Sequence, residues 1–165
     1  MKITLLQVGK TKEKAYIEIE NEFKKRLTPF CSLETVTVKT SDFEEENKAL
    51  QAKIPEHYTV VSLDLKGKAL SSEEFAAWIK KQRDFEGGKI AFMIGGPHGL
   101  SPQTLSRAHT SISLSRMTFT HQMARLFVLE QLYRAFMILA NKSYHYGKPL
   151  KTILIKDGPF ASLWA

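Results

Sequence analysis

The chain has 165 residues, 43% of them hydrophobic and 25% charged, which fits one globular domain with little room for a second core. Lys and Arg total 24 against 17 Asp and Glu, a formal net charge of +7, so a polyanion is the favoured partner class wherever that charge is clustered. No apolar run reaches the roughly 18 residues of a membrane span, the segment Met1–Val8 is too short and polar for a signal peptide, and a lone Cys31 excludes an internal disulfide or a cysteine metal pair; a soluble, reduced, cytoplasmic domain is expected.

Residues 2–8 alternate and stop at Gly9, a first strand. From Lys12 to Leu27 the apolar positions Ala15, Ile17, Ile19, Phe23 and Leu27 predict a helix that Pro29 ends. Residues 33–38 alternate cleanly and form a second strand. Ser41 with Glu44 reads as a capping box, opening a helix that ends before Pro55. A third strand runs from Tyr58 to Leu65, mostly apolar and so buried on both faces, with a turn at Lys66-Gly67-Lys68. Ser71 with Glu74 is a second capping box, and Phe75, Trp78 and Ile79 form the inner face of its helix. Gly87-Gly88 ends that segment. Ile90 to Ile94 is the most apolar strand, and Ser101-Pro102 predicts the N-cap and first position of a short helix. Ser111 to Ser115 is a fifth strand, followed by a long helix from about Thr120 to Ala140. Strands alternating with helices predict an α/β fold, a mostly parallel sheet covered on both faces. The last helix is apolar nearly all round, which in so small a chain points to burial at a subunit contact.

Several chemistries lack their motifs. There is no G-x-G-x-x-G after the first strand, no phosphate-cradling G-x-x-x-x-G-K-[ST], no G-x-S-x-G elbow and no histidine pair at metal spacing. Glu44-Glu45-Glu46 reads as a solvated helix start that complements the dipole. His57 and His109 fall in surface segments, and Glu130 with Arg134 forms a structural ion pair. The positive signal is IGGPHGLS at 94–101: three glycines at the carboxyl end of a buried strand let the backbone approach a ligand. Val61-Ser62-Leu63-Asp64 and Leu114-Ser115-Arg116-Met117-Thr118-Phe119 are two further strand exits of small and apolar residues. Together the three exits suit a flat ring such as adenine, held by backbone hydrogen bonds. His121 and Arg125, four apart at the start of the last helix, share a face; taken alone they read as a helix-start histidine and an arginine paired with a neighbour, and beside an adenine-type pocket they would orient an anionic or imide substrate.

The ordered series Ser62-Leu63-Asp64, IGGPHGLS, LSRMTFTHQMAR at 114–125, LEQLYRAFMI at 129–138 and Tyr144-His145, with the opening MKI and VGK, resembles the bacterial 23S rRNA pseudouridine N3-methyltransferases of the SPOUT class. The resemblance covers residues 1 to about 146 as a single domain, with 147–165 a C-terminal extension, and this chain carries His98 and Thr120 where the family usually has an acidic residue and a proline. It implies a C-terminal trefoil knot, a homodimer, and S-adenosyl-L-methionine held by Leu63, Gly95, Gly96, Gly99 and the run Leu114, Ser115, Arg116, Met117, Thr118 and Phe119. The implied substrate is a pseudouridine in a stem-loop of 23S rRNA on the ribosome, with His121 and Arg125 catalytic, Tyr144 and His145 positioning the RNA, and no metal or membrane involved. The competing expectation is a basic α/β RNA-binding module without a cofactor.

Overall fold

The computed structural model describes residues 1–144; His145 and the 147–165 extension lie outside the described residues. Ten elements alternate along the chain: β1 (Lys2–Val8), α1 (Lys14–Leu27), β2 (Ser32–Val38), α2 (Phe43–Ala52), β3 (Thr59–Ala69), α3 (Ser72–Phe85), β4 (Lys89–Ile94), α4 (Pro102–Leu105), β5 (Thr110–Ser113) and α5 (His121–Leu139). The strands form one parallel sheet in the order β2-β1-β4-β3-β5. The α/β expectation is met.

The strand order decides which face each helix covers. The links β1 to β2 and β3 to β4 step toward the β2 edge, whereas β2 to β3 and β4 to β5 step toward the β5 edge. With right-handed crossovers the two sets of helices fall on opposite faces. Leu27 of α1, Phe75 and Ile79 of α3, and Val128, Leu129 and Leu132 of α5 accordingly share a core with Ile3, Leu5, Ile90 and Phe92. Leu50 of α2 and Leu105 of α4 pack with Leu6, Val8, Val60 and Met93. Alternate residues of β1 thus feed two separate cores, as a pleated strand buried on both faces must.

The capping chemistry follows the sequence at two sites and differs at one, and α5 has a cap that the sequence reading did not name. Ser71 and Glu74 form the reciprocal capping box of α3, and Ser101 caps α4 with Pro102 in its first turn. Thr120 caps α5, its hydroxyl accepting from the Met123 N–H at 3.2 Å. The cap of α2 is Asp42 rather than Ser41: the Asp42 carboxylate accepts from the Glu45 N–H at 2.9 Å, and the Ser41 hydroxyl instead donates to the Glu45 side chain. Helix α1 begins at Lys14, two residues later than the periodicity predicts.

Two strands also differ from expectation. β3 continues to Ala69, but Leu63 and Lys68 both face Ile112, so residues 64–67 leave the ladder and return. Gly67 permits the return, since a Cβ there would lie 2.6 Å from the Ile112 backbone. β5 ends at Ser113 rather than Ser115, because Ser113 Oγ donates to the Ser115 carbonyl and Ser115 Oγ accepts from the Met117 N–H, both at 2.9 Å, turning the chain out of the sheet.

Helix α5 lies between α1 and α3 on the sheet. Part of its apolar girth is therefore absorbed by the chain's own core, while Leu126, Tyr133, Ile138 and Leu139 stay only partly buried. Phe127, 36% accessible, is the large apolar side chain left exposed on this helix. Replacing Leu129, which is fully buried at the centre of α5, with alanine is expected to cost about 2–5 kcal/mol in urea unfolding; a cost under about 1 kcal/mol would contradict this central packing.

Candidate functional site: a crevice at the strand carboxyl ends

Adjacent strands β1 and β4 send their links in opposite directions, so a crevice opens beyond their carboxyl ends. It contains a cavity of about 1020 Å³, large enough for a nucleoside and part of a second ligand. The exits of β3, β4 and β5 form most of its wall: Leu63 to Lys66, Ile94 to Leu100, and Ile112 to Ser115 with Met117 to Phe119. Of the sequence-predicted contacts, Leu63, Gly95, Gly96, Gly99, Leu114, Ser115, Met117, Thr118 and Phe119 line it. Arg116 does not, and its side chain is exposed. A smaller, largely apolar cavity of about 250 Å³ adjoins it behind Leu114 and Phe119, bounded by Phe75, Phe92 and Val128.

The glycine loop is built for close backbone approach. The Gly99 N–H donates to the Gly96 carbonyl at 3.0 Å, and a Cβ on Gly95 would lie 2.6 Å from the Gly99 backbone. Gly99 adopts φ +77°, a conformation that L side chains rarely take. Beneath the loop sits Glu46, which is 3% accessible. One of its carboxylate oxygens accepts from the Ser41 N–H at 3.0 Å, and the other would lie 2.7 Å from a Cβ on Gly96. Glu44 and Glu45 are solvated as expected; Glu46 is not. The signal for it was its position four residues before Leu50, on the buried face of α2.

His121 lies in the first turn of α5, half-buried in the cavity wall. Burial first, then repulsion by Arg125 and Lys12, holds its pKa below the usual histidine value, with Glu46 opposing. The helix N-terminus also disfavours the cation. A neutral imidazole at pH 7 is competent to accept a proton.

Arg125 is placed otherwise than its spacing from His121 suggests. It is 1% accessible and does not line the cavity. Its guanidinium donates to the Val8 carbonyl at the end of β1 and to Thr11 Oγ1, the latter at 3.3 Å. Thr11 in turn donates to the buried Glu20, which Lys24 approaches at 3.6 Å. Burial works against the charge on Arg125 and Glu20 favours it. The residue fastens α5 to the β1–α1 loop; it does not meet a ligand in the cavity.

Several other titratable groups make contacts within the fold. Tyr144 packs edge-on against Tyr133 at 4.7 Å, donates to Glu130 at 3.2 Å and lies under Arg134, away from the crevice. The Glu130–Arg134 pair is present as predicted. His109 Nδ1 accepts from the Val60 N–H at 2.9 Å. Burial pushes the Cys31 thiol up to about 11, leaving it no nucleophile at neutral pH. Among the described residues, no group of three or more His, Cys, Asp and Glu is placed to hold a metal, and no helix is long and apolar enough to cross a membrane.

Residues 1–145 match the family described as "Predicted SPOUT methyltransferase". The chain is 43% identical over 158 residues to a Ribosomal RNA large subunit methyltransferase H of Clostridium botulinum (strain Okra / Type B1), covering 88% of this chain and 99% of that one. It is 41% identical to the protein of the same name from Carboxydothermus hydrogenoformans, with the same coverage. Among solved structures, a probable methylase family protein from Haemophilus influenzae Rd KW20 superposes with a TM-score of 0.50 at 18% identity, over 88% of this chain and 70% of that one. That likeness concerns the fold.

Because Arg125 bridges two elements, Arg125→Met is expected to lower unfolding stability by about 2 kcal/mol or more, as the Val8 carbonyl and Thr11 lose a buried donor. Hydrogen exchange at residues 8–12 should accelerate. Wild-type stability and protection would contradict the bridging role.

Proposed function

The chain belongs to the SPOUT methyltransferase family, and from that membership we propose that it transfers a methyl group from S-adenosyl-L-methionine to N3 of a pseudouridine in a 23S rRNA stem-loop. The convergence of three strand exits on one cavity carries this reading. The cavity fits the cofactor in chemistry as well as size: the glycine loop and the run after β5 bring polar backbone to its wall, while Leu63, Leu114 and Phe119 offer apolar walls to a flat base. A Cβ at Gly95 would disturb this backbone. S-adenosylmethionine supplies, when bound, a methyl group already activated by its sulfonium. A cofactor-free RNA-binding module would leave so shaped a crevice without a role.

The chain's own residues have two tasks. An imide nitrogen is a poor nucleophile until its proton leaves, and half-buried neutral His121 in the cavity wall is our candidate acceptor. The walls must also hold base and methyl group in line, excluding water. Arg125 serves as a positioning residue: it fixes the first turns of α5, and so His121, against the end of β1. Tyr144 and His145 are assigned to RNA positioning on the strength of the resemblance.

We further propose that the working form is a homodimer acting in the cytoplasm, where its ribosomal substrate resides. Leu65 and Met117 on the cavity wall are 54% and 73% accessible, and Phe127 beside the smaller cavity is also exposed. Exposed apolar side chains gathered at a mouth favour a covering partner, and a second copy is the simplest one. The C-terminal knot implied by the family would hold the same three exits together.

Incubation with ribosomes and labelled cofactor, followed by mapping of the modified nucleotide, should place label on a 23S rRNA pseudouridine. His121→Ala is expected to lower kcat by about 10²–10⁴-fold; an unchanged kcat would remove His121 from the mechanism. Since burial favours the neutral imidazole, the base form persists as pH falls, and the acid limb of kcat should lie below about 6.5. An acid limb above that value would contradict the assignment. Gly95→Ala should weaken cofactor binding in calorimetry by roughly tenfold or more, about 1.4 kcal/mol; unaltered affinity would place the cofactor elsewhere.

A further inference from the structure

The N-terminus of α1, where the β1–α1 loop ends, also contributes to the cavity. Its N-cap Glu13, with Ala15 and Tyr16 in its first turn, lines the wall. Between and beside them Lys10, Lys12 and Lys14 are exposed. None of the three has an ion-pair partner among the described residues, whereas Lys24, Lys80 and Lys81 are each paired with a carboxylate. Glu13 is the one acid within this stretch, and the first turn of α1 has none.

The loop is also held in place. The Gly9 N–H donates to the Val38 carbonyl at 2.9 Å, and Gln7 Nε2 donates to the Gly9 carbonyl at 3.3 Å. Arg125 grips Val8 and Thr11, and the Lys12 N–H donates to Gln122 Oε1 at 3.0 Å. Gln122 follows His121 directly in α5. The loop and the imidazole therefore belong to one fastened unit, with unpaired cations next in sequence to the cavity-lining Glu13 and Ala15 and with His121 in the cavity wall.

We propose that Lys10, Lys12 and Lys14 form the phosphate clamp that seats the rRNA strand and delivers the target base to His121. The inference rests on the rRNA methyltransferase reading and adds to it the RNA-contacting surface. Phosphate contacts set register and orientation without reading sequence, which is the task of a rigid loop beside the reacting group. Each neutralised phosphate releases counterions, so the clamp has a signature that packing or stability effects lack: the dependence of binding on salt.

The test compares Lys10→Ala/Lys12→Ala with Lys80→Ala/Lys81→Ala in the full-length chain, the second removing equal charge from a remote part of α3. Ribosome methylation is measured across a salt series, alongside cofactor affinity and thermal melting. For the loop variant, KM for ribosomes should rise roughly tenfold at moderate salt, and the log–log salt slope of kcat/KM should fall by about 1.4–1.8. Its kcat should stay within about twofold and its cofactor affinity should not change, as expected of contacts that bind RNA without taking part in the chemical step. The α3 variant should behave as wild type. A loop variant with wild-type KM and slope, or an α3 variant with the same change, overturns the clamp while leaving the methyltransferase reading intact. A wild-type enzyme that methylates no ribosomal RNA overturns both.

Discussion

The right-handed crossover is the constraint on which this structure depends. Given five parallel strands in the order β2-β1-β4-β3-β5, it sends α1 and α3 to one face and α2 and α4 to the other. It also parts the links that leave β1 and β4, and the crevice opens where they part. Every group assigned to chemistry lies at that end of the sheet. The glycine loop leaves β4, the Leu114–Phe119 run follows β5, and His121 begins α5 beside the end of β1.

A buried guanidinium joins these parts. Arg125 and Val8 are 117 residues apart in sequence, yet their hydrogen bond couples the last helix to the first strand. Burying a charged group is costly unless it is bonded and balanced. The Val8 carbonyl, Thr11 and the nearby charge of Glu20 meet part of that demand, while the buried Arg125 Nε has no partner among the described residues. The same cation, with burial, keeps His121 neutral. One residue thus supports the geometry of the loop and the protonation state of the neighbouring base without touching a ligand.

Local chemistry was legible in the sequence, and long-range burial was not. The Ser71–Glu74 box, the Ser101-Pro102 helix start and all five strands are written in short patterns of capping groups and period-two apolarity. The cavity walls were largely readable because two further strand exits of small and apolar residues accompany the glycine loop, which alone would read as a tight turn. Glu46 was read as part of a solvated helix start, and Arg125 as facing a substrate beside His121; in both cases only the tertiary partner reveals the burial. The α2 cap slipped by one residue because Ser41 and Asp42 are both good caps, and the competition is settled by side-chain geometry. The girth of α5 was read as a subunit contact, and α1 and α3 account for part of it.

The central claim is that the three strand exits together hold a sulfonium nucleoside within reach of His121. A crystal structure of the chain with S-adenosylmethionine tests it most directly. The account predicts the adenine between residues 95–99 and 114–118, with the sulfonium methyl open toward the His121 imidazole. Density for the nucleoside at any other place, or with its methyl group turned away from that imidazole, would contradict it.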